Sequence, residues 1–183
     1  GFEPNFTWIK RRDGSENHYL QDSVRGSTKQ IYSNLNNAEY DEASAVTSFD
    51  SDGFTMGSYN GINNSSETYV AWNWKAGGAA SANTDGTINS QVSVNSGAGF
   101  SIVKYTPSNT TARSIGHGLG AKPNFMIIRN YGRVEDWIVY TTGMGTTGGT
   151  ILNSTAAYNS TTNYITGVTS STFGVGTDFA VNG

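Results

Sequence analysis

In Gly1-Phe2-Glu3-Pro4-Asn5-Phe6-Thr7-Trp8-Ile9-Lys10, the side chains Phe6, Trp8 and Lys10 alternate with Asn5, Thr7 and Ile9. A period of two is the geometry of a β-strand, whose successive side chains turn to opposite faces. The stretch returns without a gap as Gly120-Ala121-Lys122-Pro123-Asn124-Phe125-Met126-Ile127-Ile128-Arg129, 119 residues later. Gly26/Gly145, Thr28/Thr147, Asn34/Asn153, Ala38/Ala157, Thr47/Thr166, Ser51/Ser170, Phe54/Phe173, Gly57/Gly176 and Asn63/Asn182 keep the same offset. Self-similarity at a fixed period marks tandem copies of one structural unit. Residues 120–183 repeat residues 1–64, and the counterpart of Glu67-Thr68-Tyr69-Val70-Ala71-Trp72-Asn73-Trp74-Lys75 would fall past residue 183. The expectation is a stretch of a longer array.

Working outward, the same alternation recurs. Phe125-Met126-Ile127-Ile128 is a continuous apolar run, as expected of a strand covered on both faces. Trp137-Ile138-Val139-Tyr140 corresponds to His18-Tyr19-Leu20-Gln21 and predicts the next strand. Asp52-Gly53 supplies a tight turn between Ser48-Phe49 and Phe54-Thr55-Met56. Thr68 to Lys75 places Val70, Trp72 and Trp74 on one face, read as core together with Trp8. Ile88, Val92 and Val94 follow the turn Asp85-Gly86, and Phe100 to Tyr105 alternates again. Helix signals are thin: Asn36 to Ala45 has room for a turn or two but carries no sustained 3.6-residue stripe. Many strands at even spacing predict an all-β sandwich or jelly roll.

Composition agrees. Hydrophobic residues make up 36% and aromatic residues 12%, enough to bury a core, while only 14% are charged. Gly, Ser, Thr and Asn are abundant, which suits short strands and tight turns. The net charge is −3, and the only basic cluster, Lys10-Arg11-Arg12, reads as a solvated strand end. No concentrated positive surface for nucleic acid is present. Cysteine is absent, which removes disulfides, thiol nucleophiles and cysteine-ligated metals together. No apolar run approaches membrane-spanning length, and no signal peptide is visible.

Ala76-Gly77-Gly78-Ala79-Ala80-Ser81-Ala82-Asn83 carries no core-forming side chain and is the expected linker. It divides a first unit, 1–75, from a second, 84–183. On this cut the first unit lacks a counterpart of Phe100–Tyr105, and the second lacks one of Thr68–Lys75. Each unit would expose an unpaired edge, which outside strands or a neighbouring chain would have to satisfy.

One set of ordered motifs is Pro4-Asn5-Phe6-Thr7-Trp8-Ile9-Lys10, Asp22-Ser23-Val24-Arg25-Gly26 and Ser48-Phe49-Asp50-Ser51-Asp52-Gly53-Phe54. A second is Tyr69-Val70-Ala71-Trp72-Asn73-Trp74-Lys75-Ala76-Gly77-Gly78 and Gly99-Phe100-Ser101-Ile102-Val103-Lys104-Tyr105-Thr106, with Ile115-Gly116-His117-Gly118-Leu119 before Pro123. Together they resemble tandem laminin-G-like (concanavalin A-like) repeats of marine bacteriophage virion proteins and related environmental sequences. The resemblance covers nearly the whole chain. It implies a β-jelly-roll sandwich in a tail fibre, capsid fibre or other surface appendage, and names no catalytic residue. Asn73 departs from relatives that often carry cysteine between the two tryptophans.

Candidate sites are few. His18 and His117 are the only histidines, and His18 aligns with Trp137, so its position does not require an imidazole. Gly116-x-Gly118-x-Gly120 lacks the following helix that a phosphate loop needs. Asp50 and Asp52, two apart, offer hard oxygen ligands to Ca²⁺, although the second copy has Thr169 and Ser171 there. Glycoside cleavage needs two acids facing across a cleft. Glu135-Asp136 are adjacent, and Glu39, Asp41 and Glu42 read as a solvated loop. Tyr32, Tyr59, Tyr131 and Tyr158 lie in polar, turn-like segments and are the candidates for stacking on sugar rings. The Asn-x-Ser/Thr triplets at Asn5, Asn63, Asn64, Asn109, Asn153 and Asn159 are what so Asn-, Ser- and Thr-rich a chain produces by chance.

The expectation is a non-enzymatic virion surface protein, extracellular, presenting jelly-roll domains for adhesion to host-surface glycans. No cofactor is expected apart from Ca²⁺ at Asp50 and Asp52. Partners would be other virion subunits or copies of the chain itself, with neither nucleic acid nor membrane insertion. The alternatives are an assembly protein joining neighbours through strand edges and a glycan-degrading depolymerase.

Overall fold

The computed structural model describes residues 1–108, 111–145 and 147–183. It is all-β, and among the described residues the named strands pair antiparallel, with one isolated parallel bridge between Ile88 and Ile115. The first half holds β1 (Phe6–Arg11), β2 (His18–Asp22), β3 (Gly26–Tyr32), β4 (Tyr40–Asp41) and β7 (Tyr69–Trp74) in one sheet of order β4-β3-β2-β1-β7. A separate hairpin, β5 (Val46–Asp50) and β6 (Gly53–Met56), turns at Asp52-Gly53, and the short α1 (Asn60–Asn63) follows.

Between the halves run β8 (Ser81–Asn83), β9 (Ser90–Asn95) and β10 (Phe100–Tyr105), a sheet of order β10-β9-β8. The second half has β11 (Arg113–Gly116), β15 (Ile165–Val168) and β16 (Thr172–Val175) in the order β11-β16-β15. Its other sheet is β12 (Phe125–Ile128), β13 (Ile138–Thr141) and β14 (Thr150–Ile151), in the order β12-β13-β14, and α2 (Phe179–Asn182) follows β16.

Alternation explains the layers. In β1, Ile9 faces a core with Tyr19, Ala45, Val46 and Ile62, formed between the five-stranded sheet and the β5–β6 hairpin. On the same sheet a buried polar ladder crosses four strands. Thr7 donates to Gln21 at 3.5 Å, Gln21 to Gln30 at 2.6 Å, and Gln30 to the Tyr40 hydroxyl. Burial of so many polar atoms is tolerable because each finds a partner. The second half packs Ile128, Ile138 and Tyr140 of β12–β13 against Ile115, Ile165, Phe173 and Val175, with Ala180 and Val181 of α2.

Part of the outer face of the first sheet is covered by the second half. Leu20 and Ile31 pack with Trp137, joined by Phe6, Trp8 and Ile127. The Trp137 indole N–H donates to the main-chain carbonyls of Tyr32, 2.7 Å away, and Leu35, 3.1 Å away. Trp137 stands at the offset of His18, which in the first half accepts a 3.0 Å bond from the Trp8 indole instead.

Other bonds recur at the offset without change. Asn34 Oδ1 accepts from the His18 N–H at 2.9 Å, and Asn153 Oδ1 from the Trp137 N–H at 3.0 Å. Asn34 Nδ2 donates to Asn17, and Asn153 Nδ2 to Asp136. Asn63 Nδ2 donates to the Gly57 carbonyl, and Asn182 Nδ2 to that of Gly176. A Cβ on Gly57 would lie 2.5 Å from the Ser44 carbonyl oxygen, and on Gly176 2.2 Å from that of Thr162. Both positions need glycine because the main chain of a turn passes there.

Two expectations require correction. The stretch 76–83 is not a free linker: Ser81–Asn83 forms β8 against β9, and buried Ala76 donates its N–H to Asn5 Oδ1. Small side chains let main chains approach closely, and here that approach was taken up by pairing. Asn36 to Ala45 holds no helix but the two-residue β4, paired with β3. The helices that do form, α1 and α2, span four residues each, too short to show a 3.6-residue stripe. Among the described residues, no helix is long and apolar enough to cross a membrane.

Candidate functional site

A cavity of about 820 Å³ lies where the first sheet, β10 and β12 meet. One wall is aromatic. Antiparallel pairing sets Phe6 opposite Trp74 and Trp8 opposite Trp72, and a period of two keeps all four on one face. The Phe6 and Trp74 rings lie 5.3 Å apart and edge-on, Trp8 and Trp72 6.2 Å apart, and Phe100 of β10 stacks on Trp74 at 6.3 Å. Trp72 and Trp74 are nonetheless 46% and 38% exposed. Their assignment to the core is therefore wrong. Periodicity identifies a face but not whether anything covers it, and nothing among the described residues pairs with the outer edge of β7.

Charge gathers at two points of the lining. Arg25 pairs with Asp22 at 2.5 Å and Glu39 at 2.7 Å, all three nearly buried, and also donates to the Leu20 and Lys29 carbonyls. Burial alone would lower the Arg25 pKa, but the two carboxylates outweigh it and raise it. Glu39 is thus an ion-pair partner rather than part of a solvated loop. Its partner is 14 residues away in sequence. Arg129 donates through Nη2 to the Asn36, Asn37 and Arg133 carbonyls and lies 5.7 Å from the Trp137 ring centroid. Its Nε and Nη1 are buried without an acceptor, and burial lowers its pKa.

The four tyrosines are not brought together. Tyr32 is partly buried against Tyr19 and Tyr40, and burial raises its phenol pKa. Tyr59 packs edge-on against Tyr19. Tyr131 lines the cavity and accepts the Glu39 N–H at its carbonyl. Tyr158 is 39% exposed and donates to the Thr147 carbonyl. The exposed aromatic pair is Trp72 and Trp74, which the strand pattern had hidden.

Asp50 spends its carboxylate on hydroxyls across the hairpin, accepting from Ser48 at 2.8 Å and Thr55 at 2.7 Å. Asp52 is exposed in the turn. Among the described residues no three His, Cys, Asp or Glu side chains gather as a metal site.

Both histidines serve as acceptors at Nδ1. His18 takes the Trp8 indole N–H, and His117, buried, takes the Leu119 N–H at 3.2 Å while Nε2 donates to the Thr169 carbonyl at 3.4 Å. Burial lowers both pKa values, with Lys10 assisting at His18; at His117 the Thr169 carbonyl and Asp85 oppose it. Gly118 and Gly120 take positive φ in the turn between β11 and β12, with no helix after them. Asp136 is held by Asn153 and Asp41 by Lys29. Of the Asn-x-Ser/Thr positions, Asn5 is buried, and Asn109 lies outside the described residues.

A family model described as a domain of unknown function, DUF7483, matches residues 1–183. The chain belongs to the DUF7483 family. No curated protein and no solved structure matches it. For a DUF7483 domain, then, the described chemistry is an aromatic ledge beside an apolar cavity, with buried charge at its margins.

Proposed function

We propose that this DUF7483 chain is a non-enzymatic structural protein of a virion surface or appendage, such as a tail fibre, capsid fibre or decoration. Its two halves are copies of one jelly-roll unit, a reading supported by the elements and side-chain bonds that recur 119 residues apart. Its role is presentation: stiff sandwiches in series, whose exposed faces adhere to host-surface glycans. The carrying observation is the outward-facing Trp72 and Trp74, backed by Trp8 and Phe6. Flat aromatic rings held rigidly by a sheet suit stacking against the apolar faces of sugar rings. Repetition adds avidity, since linked weak sites gain effective concentration. Adhesion is tested on an array of bacterial surface polysaccharides with the wild type and Trp72→Ala/Trp74→Ala. Retention lost in the double variant supports the reading; an array blank for the wild type overturns the adhesive part. Antibody labelling of purified particles tests the location.

A second reading, assembly through strand edges, is favoured by one specific observation. Among the described residues, β12 is paired on one edge only, although β1, at the same place in the first half, is paired on both. A monodisperse monomer under all concentrations tested would count against it.

A further inference from the structure

Among the described residues, β1 bonds β2 along one edge and β7 along the other, whereas β12 bonds only β13. Antiparallel strands direct the main-chain groups of alternate residues to alternate sides. The Asn124 carbonyl accepts from the Thr142 N–H, so Met126 and Ile128 point their groups at β13. Phe125, Ile127 and Arg129 therefore turn their N–H and C=O groups to the free edge. Their counterparts at the 119-residue offset, Phe6, Trp8 and Lys10, face β7, in register with Trp74, Trp72 and Val70.

The 820 Å³ cavity runs along this free edge. Its far side is β10, which is bonded only to β9. β10 and β12 share no sheet, so the space separates two strands that each lack a partner on the facing side. One face of the gap is closed by Phe6, Trp8 and Trp74, and the other by Phe173 and Val181. Phe125, at the mouth, is 57% exposed. Arg129 is among the residues around the same space.

We infer that the gap between β10 and β12 is an acceptor slot for one more antiparallel strand, supplied by another chain and having the side-chain pattern of β7. The first half defines the register: the Trp74-type residue opposite Phe125, the Trp72-type opposite Ile127 and the Val70-type opposite Arg129. Both faces of the slot are apolar, so the occupant needs large apolar side chains on one face and small ones on the other. Val70, Trp72 and Trp74 against Ala71 and Asn73 have that form. Joining β10 to β12 through such a strand makes one continuous sheet and removes two open edges.

This inference rests on the assembly reading and deepens it. The probe is a synthetic peptide with the sequence of residues 68–75, titrated into the ¹⁵N-labelled protein, with amide exchange followed residue by residue. Expected is saturable one-to-one binding that slows exchange at Phe125, Ile127 and Arg129 at least about tenfold, as new main-chain bonds require. Phe125→Lys, altering an exposed position that leaves the core intact, should weaken the peptide about tenfold. A peptide with proline at the Val70 position, which removes the N–H aimed at the Arg129 carbonyl, should not bind. The slot is overturned if the peptide fails to bind, if it protects β4 or β6 instead, or if those three amides do not slow. Sedimentation of the unlabelled protein separates the two failures. Self-association without peptide binding removes the slot and keeps assembly; a strict monomer that also ignores the peptide removes both.

Discussion

The two halves share a hydrogen-bonding skeleton and differ in what surrounds it. Asn34 and Asn153 hold the same turn, and Asn63 and Asn182 clasp the same glycine carbonyl. Around that skeleton the first half builds with polarity, in the Thr7–Gln21–Gln30 ladder and the Arg25 ion cluster, and completes its sheet with β7. The second half has Thr141 and Met144 at the offsets of Asp22 and Arg25, an apolar core, and an open β12 edge. In both halves the turn-fixing asparagines and close-approach glycines recur, while the side chains around them differ.

The sharpest way to break the comparison is at His18 and Trp137. Trp137→Ala empties a buried site between the halves and orphans contacts to Leu20 and Ile31, for an expected loss of about 3–5 kcal/mol. His18→Ala, which removes one partly exposed acceptor, should cost about 1 kcal/mol. Urea denaturation of both variants checks this; equal losses would mean that the halves are not joined through Trp137.

Next come the clasping asparagines. Asn182 is fully buried and bonds the Gly176 and Thr111 carbonyls and the Ser108 N–H, while Asn63 is exposed and bonds Gly57 alone. Asn182→Ala should therefore cost about 3 kcal/mol and Asn63→Ala about 0.5–1 kcal/mol, because only the former strands buried polar groups. Thermal melts that rank them the other way would contradict the assigned burial.

The smallest effect concerns pH. His18 and His117 have folded pKa values below the ordinary histidine range, so the unfolded chain binds the extra protons first. Their stabilising effect is complete above the unfolded value of about 6.5 and is lost as pH falls through the lower folded values. Melting temperature should decline on acidification below about pH 6.5, and His117→Asn should flatten the decline. A melting temperature that rose in this interval would refute the neutral, Nδ1-accepting assignment.

Much of this was legible in the chain. The alternation in Asn5–Lys10 and Phe100–Tyr105 and the Asp52-Gly53 turn gave the strands and the hairpin, because period and turn chemistry are local. What stayed hidden was non-local. Glu39 looked solvated because its ion partner, Arg25, lies across the sheet. Trp72 and Trp74 looked buried because an apolar face says nothing about what lies over it. The run Phe125–Ile128 promised cover on both faces, yet Phe125 is exposed beside the unpaired edge.

That edge is also where the account is most directly tested. Residue-resolved amide exchange on the free protein compares three pairs at the 119-residue offset: Phe6 with Phe125, Trp8 with Ile127, and Lys10 with Arg129. The predicted result is strong protection in β1, whose amides bond β7, and rapid exchange at the three β12 positions, with Met126 and Ile128 protected by β13. Equal protection in β1 and β12 would contradict it, because the outer edge of β12 would then already be hydrogen-bonded.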